Sequence, residues 1–356
     1  MELGHHGAMA TIPPRHGGNL QQAALRLGCA PEQVLDFSAS LVPFAPPAVV
    51  RRSLRQALAL QVYPDRSYGA LRQAIADRHQ LDADAVLPGN GAAELFTWAA
   101  RDAAALGLNH LPAPGFADYE RALDCWGGRW QYEELVLPHQ QAGPQALPDA
   151  FRSQLSALQG PLWLTNPHNP TGQLWSRESL LELLERVPLL IVDEAFLPLV
   201  PHGERQSLMA LACRHPRLVV IRSLTKLFGI AGLRLGYAIA EPQRLQRWSR
   251  WRDPWPVNGL AAAAGESLMA DGAWTRRVQA WVAKERPWMA DQLLRRGWQV
   301  SPSSCNFLLI QRGASLENWR QRLEQQHRIL VRDCRSFTGL DESWWRLALL
   351  DRRRNR

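Results

Sequence analysis

Cysteine is scarce: five residues, Cys29, Cys125, Cys213, Cys305 and Cys334, stand far apart with no Cys-x-x-Cys pair. That spacing argues against a zinc site and a disulfide framework, and it fits a reducing compartment. Long apolar runs are missing too. No window approaches the roughly 18 to 20 apolar residues that span a bilayer, and the N-terminal stretch MELGHHGAMATIPPRHGG has no signal-peptide core. Internal repeats and long low-complexity linkers are also lacking. These absences lead to the expectation of a cytoplasmic protein without a membrane span or a metal.

What is present fits a large folded protein. The 356 residues are 46% hydrophobic and 21% charged, ordinary values for a globular chain and too many residues for one usual core. A larger and a smaller domain sharing a cleft are expected. The net charge is +8, with a basic end at Arg352, Arg353, Arg354 and Arg356. The other arginines are scattered rather than striped, so nucleic acid is not the expected partner. A basic balance also suits anionic, phosphorylated small molecules.

Residues 14–47 are rich in Gly and Pro and read as an arm with one short helix near Leu20 to Leu27. Helical patterns follow over 48–60 and 68–78, and LPGNGAAELFTWAARDAAAL (87–106) reads as a turn running into an apolar helix. Three apolar runs then end in polar residues: PLWLTN (161–166), LLIVDEA (189–195) and LVVIRSLTK (218–226). Helical stretches near 176–186 and 204–214 separate them. Strands alternating with helices predict a mostly parallel sheet covered on both faces, with ligands at the carboxyl ends of the strands. Beyond residue 245 come a long helical stretch (257–298) and then strand, helix, strand, strand over 305–311, 316–327, 328–333 and 344–350. The expected architecture is α/β: an arm (1–47) packed on the cleft, a large domain (48–245) and a small α+β domain (246–356).

The polar strand ends carry the chemistry. A lysine buried after SLT, Lys226, is pushed toward its neutral amine, which can form an imine; standing alone, Ser-x-x-Lys is as well read as a solvated loop. Ser223 and Arg234, in GLRLGY, flank it with a hydroxyl and a guanidinium able to bind a phosphate. Gly89 to Glu94 open a helix whose free N–H groups favour an anion. Asp193 ends the second run and could pair with a protonated ring nitrogen, or cap a helix. Asn169 in NPHNPTG could donate to a phenolic oxygen, or serve a turn. Phe116 in PGFADY offers an apolar face for a ring, or belongs to the core.

The set NPHNPTG, DEA, SLTK and GLRLGY, in this order and spacing, resembles fold type I pyridoxal 5'-phosphate enzymes, the class I/II aminotransferase superfamily, over nearly the whole chain. HGGN (16–19), LDFSAS (35–40), PGFADYERAL (114–123), DEAF (193–196), RSLTK (222–226), PWPVNGLAAAAGE (254–266) and ILVRDCRSFTGLD (329–341) are most similar to the threonine-phosphate decarboxylases of cobalamin biosynthesis. Those are themselves close to histidinol-phosphate aminotransferases.

The resemblance implies that pyridoxal phosphate is carried on Lys226, with Asp193 at the ring nitrogen, Asn169 at the phenolic oxygen and Phe116 stacked on the ring. Ser223, Arg234 and the amides near Gly91 and Ala92 would hold the cofactor phosphate. Tyr63, in VYPD, would reach that phosphate from a neighbouring subunit, implying a homodimer with shared sites. Arg332 and Arg346 would bind anionic groups of a small phosphorylated amino acid, and His16 would help enclose its phosphate. The implied reaction is decarboxylation of L-threonine O-3-phosphate; the alternatives are transamination of the histidinol-phosphate type and a non-catalytic binding protein on the same fold. Related aminotransferases usually place Tyr where this chain has Phe196. The decarboxylase pattern DFSANINPLG is broken here by Ser40, Val42 and Ala45.

Overall fold

Seven strands form the central sheet of the computed structural model, which describes residues 16–56, 61–135, 142–155 and 158–356. They are β1 (Val86–Asn90), β2 (Asn109–Ala113), β3 (Trp130–Glu134), β4 (Leu162–Thr165), β5 (Leu190–Asp193), β6 (Leu218–Ser223) and β7 (Leu235–Ile239). Their spatial order is β1-β7-β6-β5-β4-β2-β3, and only β7 runs against its neighbours.

Strands buried on both faces read as continuous apolar runs, and LWLT, LIVD and LVVIRS are buried along their whole length. The period of two then divides each strand between two cores. Leu162, Leu164, Leu190, Val192, Leu218 and Val220 belong to one core, whereas Trp163, Ile191, Val219 and Ile221 belong to the other. The fold class is therefore α/β, with a mostly parallel sheet.

A second, antiparallel sheet comprises β8 (Gln299–Val300), β9 (Phe307–Gln311), β10 (Arg332–Asp333) and β11 (Trp344–Ala348), in the order β8-β9-β11-β10. The arm is tied to it. Leu35–Asp36 pairs in parallel with Ile329–Leu330, and the Ala348 amide donates to the Phe37 carbonyl at 2.8 Å. Upstream, the helix Leu20–Leu27 is capped by the Asn19 side chain at its start and by Gly28 in the left-handed region at its end. Among the described residues no helix is long and apolar enough to cross a membrane.

Several elements differ from expectation. Leu87 to Asn90, read as a turn, lie in strand β1, whose Pro88 and Gly89 are held in register by β7. Strands β2, β3 and β7 were not foreseen. The helix expected near 204–214 shrinks to a 3-10 turn, Gly203–Gln206, and the short helix Met209–Ala212. The stretch 257–298 divides into Gly259–Met269 and Gly272–Leu294, because Asp271 caps the second helix through the Trp274 amide. The helix over 48–60 is seen as Ala48–Gln56; residues 57–60 and the first fifteen of the arm lie outside the described residues.

Candidate active site

Strand register assembles the site. Thr165 and Asp193 are partners across β4 and β5, and Asp193 is in turn opposite Ile221 of β6. Ser223 ends β6, and the chain turns into the helix Leu224–Phe228, so Lys226 sits in the first turn of a helix rather than at the strand end itself. Because β7 runs backward between β1 and β6, Gly236 lies opposite both Ser223 and Gly89. Arg234 therefore arrives beside the N-terminus of the helix Gly91–Ala104. The approach requires glycine: Gly91 has φ +72°, and a Cβ there would lie 2.5 Å from the Arg234 Nη2.

A cavity of about 360 Å³ opens at these strand ends. Its wall contains His16, Ala92, Phe116, Asn169, Asp193, Ser223, Lys226, Arg234, Arg332 and Arg346. Thus ten of the twelve residues singled out from sequence meet in one place. Gly91 stands just behind, against Arg234. Tyr63 does not reach this cavity: it is 73% exposed and stacks on Trp255 with ring centroids 4.3 Å apart.

The chain has only two lysines, Lys226 and Lys284, and Lys284 is exposed. Burial, followed by the nearby Arg346 and Arg234, lowers the Lys226 ammonium to about 8, against the opposing pull of Asp193. A neutral amine is therefore accessible near physiological pH. Its Nζ lies 5.8 Å from the centre of the Phe196 ring. Burial pushes Asp193 up to about 6, despite hydrogen bonds from the Tyr119 hydroxyl (2.8 Å to Oδ2) and the Ala195 amide (2.9 Å to Oδ1).

Opposite them lie two arginines. Arg346 donates through Nη1 to Asn169 Oδ1 at 2.6 Å and through Nη2 to the Ser38 carbonyl at 3.0 Å. Both acceptors are neutral, and burial together with Arg332 brings its guanidinium down to about 10. Arg332 donates to Ser336 Oγ at 2.6 Å. Phe337 lies under both guanidinium groups, at 5.2 Å from Arg332 and 6.0 Å from Arg346. The arm closes one side: the Gly18 amide donates to Ser38 Oγ at 3.0 Å, and the His16 ring meets Phe116 edge-on at 5.7 Å.

Two groups, Thr225 and Tyr119, escaped the sequence reading, and a third, Ser40, entered it only as a departure from the decarboxylase pattern. Thr225, next to the lysine, lines the cavity with a buried Oγ1 that has no hydrogen-bond partner. The Ser40 Oγ is buried and unpartnered in the same wall. Tyr119, three residues after Phe116, holds Asp193. A hydroxyl inside SLTK was a usable signal for Thr225; nothing local in the sequence pairs Tyr119 with a strand end 74 residues away.

The model of the family "Aminotransferase class I and II" matches residues 32–356. The chain belongs to this family. Its sheet and cleft are those of fold type I. Among class I and II relatives, the threonine-phosphate decarboxylase of Salmonella typhimurium strain LT2 is 38% identical, over 96% of this chain and 93% of that protein. A histidinol-phosphate aminotransferase of Anaeromyxobacter sp. strain Fw109-5 is 33% identical, over 74% of this chain and 72% of that one. The crystal structure of L-threonine-O-3-phosphate decarboxylase from Porphyromonas gingivalis matches with a TM-score of 0.77 at 25% identity, covering 90% of this chain and 96% of that one.

Proposed function

We propose that this chain is a pyridoxal 5'-phosphate-dependent decarboxylase that converts L-threonine O-3-phosphate to (R)-1-amino-2-propanol O-2-phosphate and CO2, a step of cobalamin biosynthesis. The observation that carries the reading is one cavity joining a half-buried lysine to two buried arginines, in a chain 38% identical to a threonine-phosphate decarboxylase.

The residues present fit the cofactor. The unpartnered Thr225 Oγ1, Ser223, Arg234 and the helix start at Gly91 and Ala92 form a cradle for a phosphate group. Phe116 supplies an apolar wall, Asn169 a side-chain amide donor and Asp193 a carboxylate for a ring N–H. When bound, pyridoxal phosphate supplies the electron sink that accepts the pair left as CO2 departs from the substrate Cα.

This chain's residues do the rest. Arg346 and Arg332 hold the carboxylate end of the substrate, and His16 on the arm faces its phosphate. Asp193, ionised, holds the proton at the ring nitrogen. Lys226, whose amine titrates near 8, is placed to return a proton to Cα after carboxylate loss. Phe307 and Phe337 beside Arg346 limit water around the guanidinium and strengthen its grip on an anion.

The reading includes a cytoplasmic homodimer. In support, Val62 and Tyr63 are each 73% exposed, as expected of residues that reach a partner's site. It also includes the division into an arm, a large domain to residue 245 and a small domain beyond it. Product analysis tests the function: release of CO2 from L-threonine O-3-phosphate supports it, whereas transfer of the amino group to a keto acid without CO2 assigns the site to transamination.

A further inference from the structure

Tyr119 occupies a place the mechanism above leaves unused. It lies on the helix Asp118–Asp124, which follows the Phe116 loop, and is 3% exposed. Its ring is fixed on three sides: edge-on to Phe96 at 5.1 Å and Phe116 at 5.5 Å, and tilted over Trp163 at 5.1 Å. Its hydroxyl lands on the carboxyl ends of two adjacent strands, 2.8 Å from Asp193 Oδ2 and 2.7 Å from Thr165 Oγ1. A phenol has one proton to give. Since Tyr119 donates it to Asp193, Thr165 donates to the Tyr119 oxygen, and the three form a directed chain that ends on the carboxylate.

We propose that Tyr119 is a positioning residue for the reaction: its hydroxyl, backed by Thr165, fixes Asp193 Oδ2 and holds that carboxylate ionised. The inference rests on the cofactor reading above. Asp193 is buried, and burial favours its neutral acid, which could not hold a proton at a ring nitrogen. Glu194, next in the chain, also disfavours the charge. Three groups oppose protonation: Tyr119, the Ala195 amide and Lys226. The Lys226 contribution is conditional, because that amine titrates near 8. The two hydrogen bonds are permanent, and only the one from Tyr119 comes from a side chain. Burial and the neighbouring Asp193 raise the Tyr119 phenol well above its ordinary value, so it remains a donor throughout the working pH range. Hydroxyl chains of this kind polarise one another, which strengthens the terminal bond.

The test compares Tyr119→Phe and Thr165→Val in the wild-type and Asp193→Asn backgrounds. The readouts are kcat, KM and the dissociation constant for pyridoxal phosphate, titrated by absorbance into apoprotein. Losing one hydrogen bond to a charged acceptor is expected to lower kcat about tenfold in Tyr119→Phe, with KM changed by less than about twofold. The cofactor dissociation constant should rise severalfold. Thr165→Val should shift each in the same sense by less, and it carries the test if Tyr119→Phe does not fold. In the Asp193→Asn background both substitutions should change the dissociation constant by less than about twofold, because the acceptor charge is already gone. Equal effects in the two backgrounds, an effect on KM alone, or an unchanged kcat would overturn the positioning role while leaving the cofactor reading intact. Wild-type protein that binds no cofactor would instead overturn that reading, and this inference with it.

Discussion

Arg332 and Arg346 are direct partners across antiparallel strands β10 and β11, and both are buried, at 3% and 7% exposure. Like charges directly opposite one another destabilise a sheet, and burial adds a desolvation cost. An anion bound beside the pair lowers that cost. An anionic substrate that binds only the folded state adds about 2.7 kcal/mol at a hundred times its Kd, enough to raise Tm by roughly 5 to 10 °C for a domain of about 200 residues. Thermal melts with L-threonine O-3-phosphate should show this rise in the wild type and little of it in Arg346→Ala. The same variant is expected to lose about 2 to 4 kcal/mol in kcat/KM. An undiminished thermal shift in Arg346→Ala would remove the arginine from the substrate site.

The two-lysine composition gives the Lys226 assignment a clean readout. Borohydride treatment of the loaded enzyme should bleach its visible band and leave the cofactor on one peptide, that of Lys226, with none on Lys284. Lys226→Met should lose both the band and turnover. The apoprotein offers a second check, because lysine titrates near 10.5 when unfolded and near 8 in this cavity. Between those values the unfolded chain binds the additional proton, so stability rises with pH across the window and the burial cost is fully present below it. Denaturant melts should show that slope in wild-type apoprotein and a flatter one in Lys226→Met. Equal slopes would mean that the amine is not buried as described.

Gly91→Ala probes the phosphate cradle. The added methyl would meet the Arg234 guanidinium on a backbone at φ +72°, so both side chain and main chain must shift. A stability loss of about 1 kcal/mol or more is expected from the backbone alone. The cofactor dissociation constant should rise by about tenfold as Arg234 is displaced. Unchanged affinity for pyridoxal phosphate would separate Arg234 from the phosphate.

Legibility followed burial. Strands β4, β5 and β6 were visible in the sequence because both faces are covered and their residues are nearly all apolar. Strand β1 was not, since Pro88 and Gly89 are turn residues by local preference and take up strand geometry through pairing with Leu235–Ile239. Strand β3, with WQYEE partly open to solvent, carries no long apolar signal. At the site, Lys226, Asp193 and Asn169 each lie in a recognisable motif, whereas Tyr119 meets Asp193 only across the sheet, and Thr225 was hidden between Ser223 and Lys226, both already taken for other roles. Arg332 and Arg346 were expected only to share the binding of anionic groups; the strand register makes them direct neighbours.

His16→Ala addresses substrate choice. The ring lies on the arm against Phe116, at the mouth of the cavity that holds the arginine pair. Loss of a group facing the substrate phosphate should reduce the ratio of kcat/KM for threonine phosphate over threonine, with little change for threonine itself. Steady-state kinetics with the two substrates measures this, and an unaltered ratio would place the phosphate elsewhere.

The most direct measurement follows the carboxyl carbon of L-threonine O-3-phosphate. With enzyme saturated in pyridoxal phosphate and no keto acid added, labelled CO2 and (R)-1-amino-2-propanol O-2-phosphate are expected in equal amounts over many turnovers. Absence of CO2, with turnover appearing only when a keto acid is supplied as amino acceptor, would contradict decarboxylation and leave an aminotransferase.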